Sequence, residues 1–157
     1  MKQHHYTLSL TWTGNRGEGT TDYQAYDRAH TIEVEGKPLI EASSDTPFRG
    51  DASKYNPEDM FLASIAACHM LWYLHLCADA GVIVLGYTDH PKGILQQTPQ
   101  NGGHFSEVTL YPEVTVKDSS MEELALELHA KAHQHCFIAN SCNFPIHHAP
   151  KCVSVHA

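Results

Sequence analysis

Basic residues are few in this 157-residue chain: 10 Lys plus Arg stand against 18 Asp plus Glu, a formal net charge of -8, and they form no block. Nucleic acid is therefore excluded as an expected partner, because binding a polyanion needs clustered cations that track phosphates. The chain also has no C-x-x-C pair. Its five cysteines, Cys68, Cys77, Cys136, Cys142 and Cys152, are odd in number and irregular in spacing. That argues against a secreted disulfide scaffold and for thiols kept reduced, hence a cytoplasmic protein. The N-terminus lacks a charged start followed by an apolar run and a cleavage site; "MKQHHYTLSLTW" alternates like a strand instead. Paired carboxylates for hydrolysis and phosphate-cradling glycine loops are absent, since "GNRGEGT" and "NGGH" read as hairpin turns. Without an internal repeat or linker, a single domain over 1–157 is expected.

What the sequence does have is one long apolar segment. Between Met60 and Ala78 there is no charged residue. The length would suit a membrane span, but His69 and His75 interrupt it, Glu58, Asp59 and Asp79 bracket it, and Lys or Arg flanks are missing, so a buried soluble helix is expected and no membrane. Asn56 is placed to cap this helix, Pro57 to open it and Gly81 to end it near Ala80. Strands are expected over Tyr6 to Trp12, in "HTIEVEG" and "KPLIEAS" around the Gly36 turn, in "VIVLGYTDH" and "HFSEVTLYPEVTVK" around "NGG", and in the terminal "CVSVHA". Ser120 with Glu123 signals a capping box for a second helix reaching about His135. The order is α+β, with helices covering one face of antiparallel sheets. A first helix that is apolar nearly all round needs more cover than one sheet gives, which predicts a symmetric homodimer.

At 100 degrees per residue, Ser64, Cys68, His75 and Asp79 form the only semi-polar stripe of the first helix, and Cys77 points to the opposite face. Cys68 reads either as a small buried hydrophobe or as a nucleophile. The chemical reading needs a cation, a carboxylate to hold the cation and a second thiol; Arg49 and Glu58 stand just upstream, and Cys136 ends the second helix. The thirteen histidines invite a metal reading at "HQHC" (His133, His135, Cys136) and at His147 with His148. Adjacent or alternate helix positions converge poorly on one ion, so no metal is expected. His69 and His75 read as satisfied interior histidines rather than ligands.

"NPEDMFLASIAACHM", followed some seventy residues later by "KAHQHCFIANS", resembles the OsmC/Ohr family of osmotically inducible and organic hydroperoxide resistance proteins. The opening strand with Trp12 and "NRGEGT", and the loop "PFRGDASKYNPE", extend the similarity over nearly the whole chain. The resemblance implies an OsmC-like fold, with antiparallel sheets on two long central helices in an intertwined homodimer. It implies that Cys68 is the peroxidatic thiol, Cys136 the resolving thiol, Arg49 the activating cation and Glu58 the carboxylate paired with Arg49. It further implies an organic hydroperoxide substrate, a dithiol reductant and no cofactor. Two departures stand out. Phe137 follows Cys136 where many members have proline, and Cys142 offers a competing thiol; Arg16 is the alternative to Arg49. A catalytically silent binding protein on the same fold, or a Cys/His metal-binding protein, are the rival readings.

The chemistry follows from thiol physics: a thiolate attacks the O–O bond, becomes a sulfenic acid, and condenses with a second thiol to a disulfide. An apolar helix disfavours the thiolate, so a guanidinium is needed beside it, and a carboxylate would orient that guanidinium. Met60, Phe61, Leu71 and Trp72 would supply apolar walls suited to an organic peroxide. Glu58 and Cys68 are ten residues apart, about 15 Å along a helix at ~1.5 Å per residue, so a glutamate cannot reach its own chain's thiol. A site shared between two subunits is the expectation that follows, with a within-chain relay through the long Arg49 side chain as the alternative.

Overall fold

In the computed structural model, which describes residues 1–100 and 102–157, packing is concentrated in two compact units, Met1–Phe61 and Leu62–Ala157. The first unit holds a three-stranded antiparallel sheet, β1 (Ser9–Trp12), β2 (His30–Glu33) and β3 (Ile40–Ala42), in the order β1-β2-β3. The hairpin turn at Gly36 forms as expected, with φ 78° at the glycine and Lys37 N–H donating to Val34 O at 3.0 Å. β1 is shorter than the alternation over Tyr6 to Trp12 predicts, and Tyr6 and Leu8 lie exposed beyond its start.

The long helix α1 (Pro57–Asp79) begins in the first unit and continues into the second. Its start is fixed by a reciprocal pair: Asp59 N–H donates to the Asn56 side chain at 2.8 Å, and Asn56 N–H donates to the Asp59 carboxylate at 3.2 Å. This is a capping box with Asn and Asp in place of the commoner Ser and Glu. Its end is fixed by Gly81, at φ 75°, where any Cβ would be strained. By length and composition α1 could also cross a membrane.

In the second unit, β4 (Val84–Asp89), β7 (Pro112–Asp118) and β9 (Lys151–His156) make one sheet, while β5 (Lys92–Thr98), β6 (Gly102–Leu110) and β8 (Ile146–His148) make another. The β4–β7 and β5–β6 pairs are antiparallel, as expected; β6–β8 and β7–β9 are parallel, which the local pattern did not indicate. β5 was likewise not expected, and Asn101 of the predicted "NGG" turn lies outside the described residues.

The second helix, α2 (Glu122–His135), follows a 3-10 turn over Ser119–Met121. The expected capping box at Ser120 does not form: Asp118 caps the 3-10 turn, its carboxylate accepting from Ser120 N–H at 3.0 Å and from the Ser120 hydroxyl at 2.7 Å, and α2 itself starts at Met121 without a side-chain cap. A carboxylate is the stronger acceptor, so the serine donates instead of capping. The core of this unit joins Tyr73, Leu76 and Cys77 of α1, Val114 and Val116 of β7, and Ala125, Leu128 and Ala132 of α2. Each large apolar side chain buried there contributes ~1.5–3 kcal/mol. α1 buries one face only, through Ile65, His69, Tyr73, Leu76 and Cys77, whereas Leu71 on another face is 63 % exposed.

Candidate active site

Two neighbouring rows on α1 meet α2 and its C-terminal end. Cys68 and Trp72, four residues apart, form the first row; His69 and Tyr73 form the second. Trp72 stacks on His135 with ring centroids 5.1 Å apart and meets Phe137 edge-on at 5.6 Å. Those two residues flank Cys136 on either side, so the tryptophan holds the end of α2 against the turn of α1 that carries Cys68.

The side chain of Cys68 lies close enough to Cys136 to act on its thiol. Burial, and next the neighbouring Cys68, push the Cys136 thiol up to about 11, so it stays protonated at neutral pH. Cys136 is 1 % exposed and also accepts from Ala139 N–H at 3.4 Å. Both sulfurs are free thiols, and Cys68 is half-buried.

The remaining cysteines have other surroundings. Cys142 donates to Ile138 O at 3.3 Å, and burial raises its pKa. Cys77 is buried in the core beside Tyr73, and its pKa is raised by burial, as suits an inert thiol. This agrees with its expected position away from Cys68.

Arg49 and Glu58 belong to the first unit. Arg49 ends a 3-10 turn over Thr46–Phe48 in the left-handed conformation, φ 63°, and is the one non-glycine residue with positive φ among those described. Its neighbour Gly50 passes so close to Ser44 that a Cβ would fall onto the carbonyl oxygen. The Arg49 N–H donates to Thr46 O at 3.1 Å, which holds the left-handed turn. Arg49 lines a cleft of about 370 Å³ with Arg28, Lys54, Asp27 and Asp51. Among the described residues no ion pair joins Arg49 to Glu58, and Oε2 of Glu58 is buried without a hydrogen-bond partner. The alternative cation, Arg16, is taken up by its own loop: its guanidinium donates to the carbonyl oxygens of Ala25 and Gln24 and lies 3.7 Å from Asp27.

Sequence reasoning named the two thiols and read His69 and His75 as satisfied interior histidines; this holds for His69, but His75 is exposed on α1 beside Asp79, 3.4 Å away, because its face of the helix is uncovered, and the partner of His69 was missed. His69 and His129 are each 1 % exposed and joined Nε2 to Nδ1 at 3.0 Å, with Nε2 of His129 left unpartnered. Tyr73 stacks on His129 at 3.9 Å and donates to Ala125 O at 3.0 Å. His148 and His133 continue the group of rings. Burial is the main cause that depresses His69 to about 4 and His129 to about 3, so both are neutral at neutral pH. Among the described residues no three His, Cys, Asp or Glu side chains are arranged to hold a metal ion. The available signal was spacing: His69 shares the buried period of Ile65, Tyr73 and Leu76, where an apolar residue would be expected.

Residues 50–150 match the profile of the OsmC-like protein family. The chain belongs to that family. An OsmC-like protein of unknown function from Vibrio cholerae O1 biovar eltor str. N16961 has the same fold, with TM-score 0.83 and 31 % identity over 95 % of this chain and 100 % of that one. The uncharacterized protein YmaD of Bacillus subtilis (strain 168) is 25 % identical over 144 residues, 90 % of this chain and 88 % of the relative. An organic hydroperoxide resistance protein from Elizabethkingia anophelis shares the OsmC-like fold at TM-score 0.68 and 22 % identity, over 98 % of this chain and 99 % of that one.

Proposed function

We propose that this OsmC-like protein is a thiol-dependent peroxidase that reduces organic hydroperoxides. The observation that carries the reading is the pairing of two thiols: Trp72, one turn after Cys68, packs on His135 beside Cys136, and Cys68 lies close enough to act on the Cys136 thiol. In the first step the Cys68 thiolate attacks the terminal oxygen of R–O–OH; the O–O bond breaks, Cys68 becomes a sulfenic acid, and the alkoxide leaves and takes up a proton as the alcohol. In the second step the Cys136 sulfur attacks the Cys68 sulfur. The S–O bond breaks, the S–S bond forms, and the proton that Cys136 retains at neutral pH leaves with the hydroxyl as water. A dithiol reductant then returns two electrons and two protons.

Arg49 is the proposed cation that favours the thiolate and hydrogen-bonds the peroxide, with Glu58 as its carboxylate partner. The proposed working form is a cytoplasmic homodimer with no cofactor. Two observations support the dimer: Leu71 stays exposed on α1, and the buried Oε2 of Glu58 lacks a partner within its own chain. Trp72 and Phe137, packed around Cys136, give the second unit an aromatic surface beside the thiols that suits an alkyl or aryl peroxide better than hydrogen peroxide.

The test is a panel of alkyl, aryl and hydrogen peroxides with dithiol and monothiol reductants, read by loss of peroxide. Fastest consumption of organic peroxides with the dithiol is expected, and peptide mapping after one equivalent should find Cys68 linked to Cys136. No consumption above the reductant alone, or a dominant Cys68 to Cys142 link, overturns the reading or its resolving thiol respectively.

A further inference from the structure

We propose that the buried His69–His129 pair is a positioning device that sets the register of α1 against α2, and so brings Cys68 onto Cys136. The inference rests on the thiol-pair reading above and adds two residues to it.

A histidine pair is costly at that place. Both rings are almost fully buried, and Nε2 of His129 has no partner. An unpaired buried nitrogen is destabilising, and two apolar side chains of similar volume would fill the space without that cost. What apolar packing lacks is direction. A polar contact inside a helix interface fixes one register among several that hydrophobic packing would tolerate.

Two bonds tie the helices where they cross. His69 bonds His129, and Tyr73, one turn later and stacked on His129, bonds the carbonyl of Ala125, each at 3.0 Å. A slide of one residue moves a helix by about 1.5 Å, enough to break both bonds.

The thiols lie in the same frame. Cys68 precedes His69. Cys136 is the C-cap residue of α2, and Trp72, one turn after Cys68, stacks on His135 beside it. Disulfide closure requires the sulfurs to come within about 2 Å, and misplacement by about 1 Å at a reacting pair can cost up to a hundredfold in rate. The hydrogen bond ties the turn of α1 that carries Cys68 to the helix that ends at Cys136, so a slide would shift one sulfur against the other. His69 and His129 touch neither peroxide nor a reacting atom in this account; they act through the helices.

The experiment uses diamide, a diazene that accepts two electrons and two protons from a pair of thiols, leaves as the hydrazine, and needs no peroxide chemistry. The double variant His69→Leu with His129→Leu removes both polar ends and leaves no orphan. It should fold, react with iodoacetamide at Cys68 within about twofold of the native rate, and close the Cys68–Cys136 bond at least about tenfold more slowly. His129→Asn, whose amide reaches the place of Nδ1, should restore closure to within about threefold. Should the double variant not fold, His129→Phe, which keeps the stack on Tyr73, takes its place with the same outcomes. Closure at the native rate in a folded variant that lacks the bond overturns the inference and leaves the peroxidase reading standing. Failure of the native protein to consume peroxide while closure still depends on the pair does the reverse.

Discussion

Trp72 stacks on His135 at 5.1 Å, one helical turn after Cys68 and one residue before Cys136, so a single ring lies between the two thiol-bearing segments. Its edge contact with Phe137 at 5.6 Å closes the other side of Cys136. Trp72→Ala should lower stability by about 1–3 kcal/mol in urea unfolding, less than a fully buried tryptophan would, and slow closure of the disulfide by about tenfold. Trp72→Phe should recover most of both. Native closure in Trp72→Ala would leave the stack with no part in bringing the thiols together.

The thiols themselves divide by surroundings. Cys68→Ser is expected to abolish thiol-dependent peroxide consumption. Cys77→Ser should retain it, because Cys77 is buried beside Tyr73 with its thiol held protonated. The measurement is peroxide loss with each purified variant at equal concentration. Equal losses in the two variants would refute the assignment of Cys68.

How much of this could be read from the sequence depended on how local the signal was. Asn56, Pro57 and Gly81 announced α1 because caps act within one turn of the residues they stop. β5 went unseen because "KGILQQT" shows no alternation, and all seven of its residues are exposed. The parallel strands β8 and β9 are set by partners some forty residues away, and a pairing at that distance leaves no period in the local sequence. The same holds at the site. Cys68 and Cys136 drew attention through the motif that resembles the family's, and His69 read as a satisfied interior histidine, but its partner His129, sixty residues on, leaves no local trace. Ser120 was misread because the stronger acceptor, Asp118, lay two residues before it.

The buried histidines predict an acid-sensitive fold. Their ordinary value near 6.5 falls to about 4 for His69 and about 3 for His129, mainly through burial. A base whose value is lower in the fold binds more protons when unfolded, so stability rises with pH across that interval. The contribution is fully present above about pH 6.5 and is lost as pH falls towards 4 and then 3. Unfolding midpoints in urea should therefore drop steadily between pH 6.5 and 4, and the double His69→Leu, His129→Leu variant should lose most of that slope. A variant slope equal to the native one would assign the acid sensitivity to other groups.

The proposed sharing of each active site between two chains is the prediction with the widest reach. Ten residues of α1 separate Glu58 from Cys68, about 15 Å at ~1.5 Å per residue, so a glutamate cannot serve the thiol of its own helix directly. Oε2 of Glu58 is buried with no partner, and among the described residues Arg49 forms no ion pair with it. A carboxylate buried without a cation is costly unless something else covers it. Two such helices crossing in a symmetric dimer would bring the start of each towards the middle of the other and supply that cover. The decisive material is a mixed dimer of a Cys68→Ser chain with a Glu58→Gln chain. If sites are shared, one of its two sites combines an intact Cys68 with an intact Glu58 and turns over at about half the native rate per dimer, although both parent homodimers are impaired. If each chain serves itself, both sites of the mixed dimer carry a defect, and its peroxide consumption should not exceed the mean of the parents once sedimentation has established that the dimer is intact.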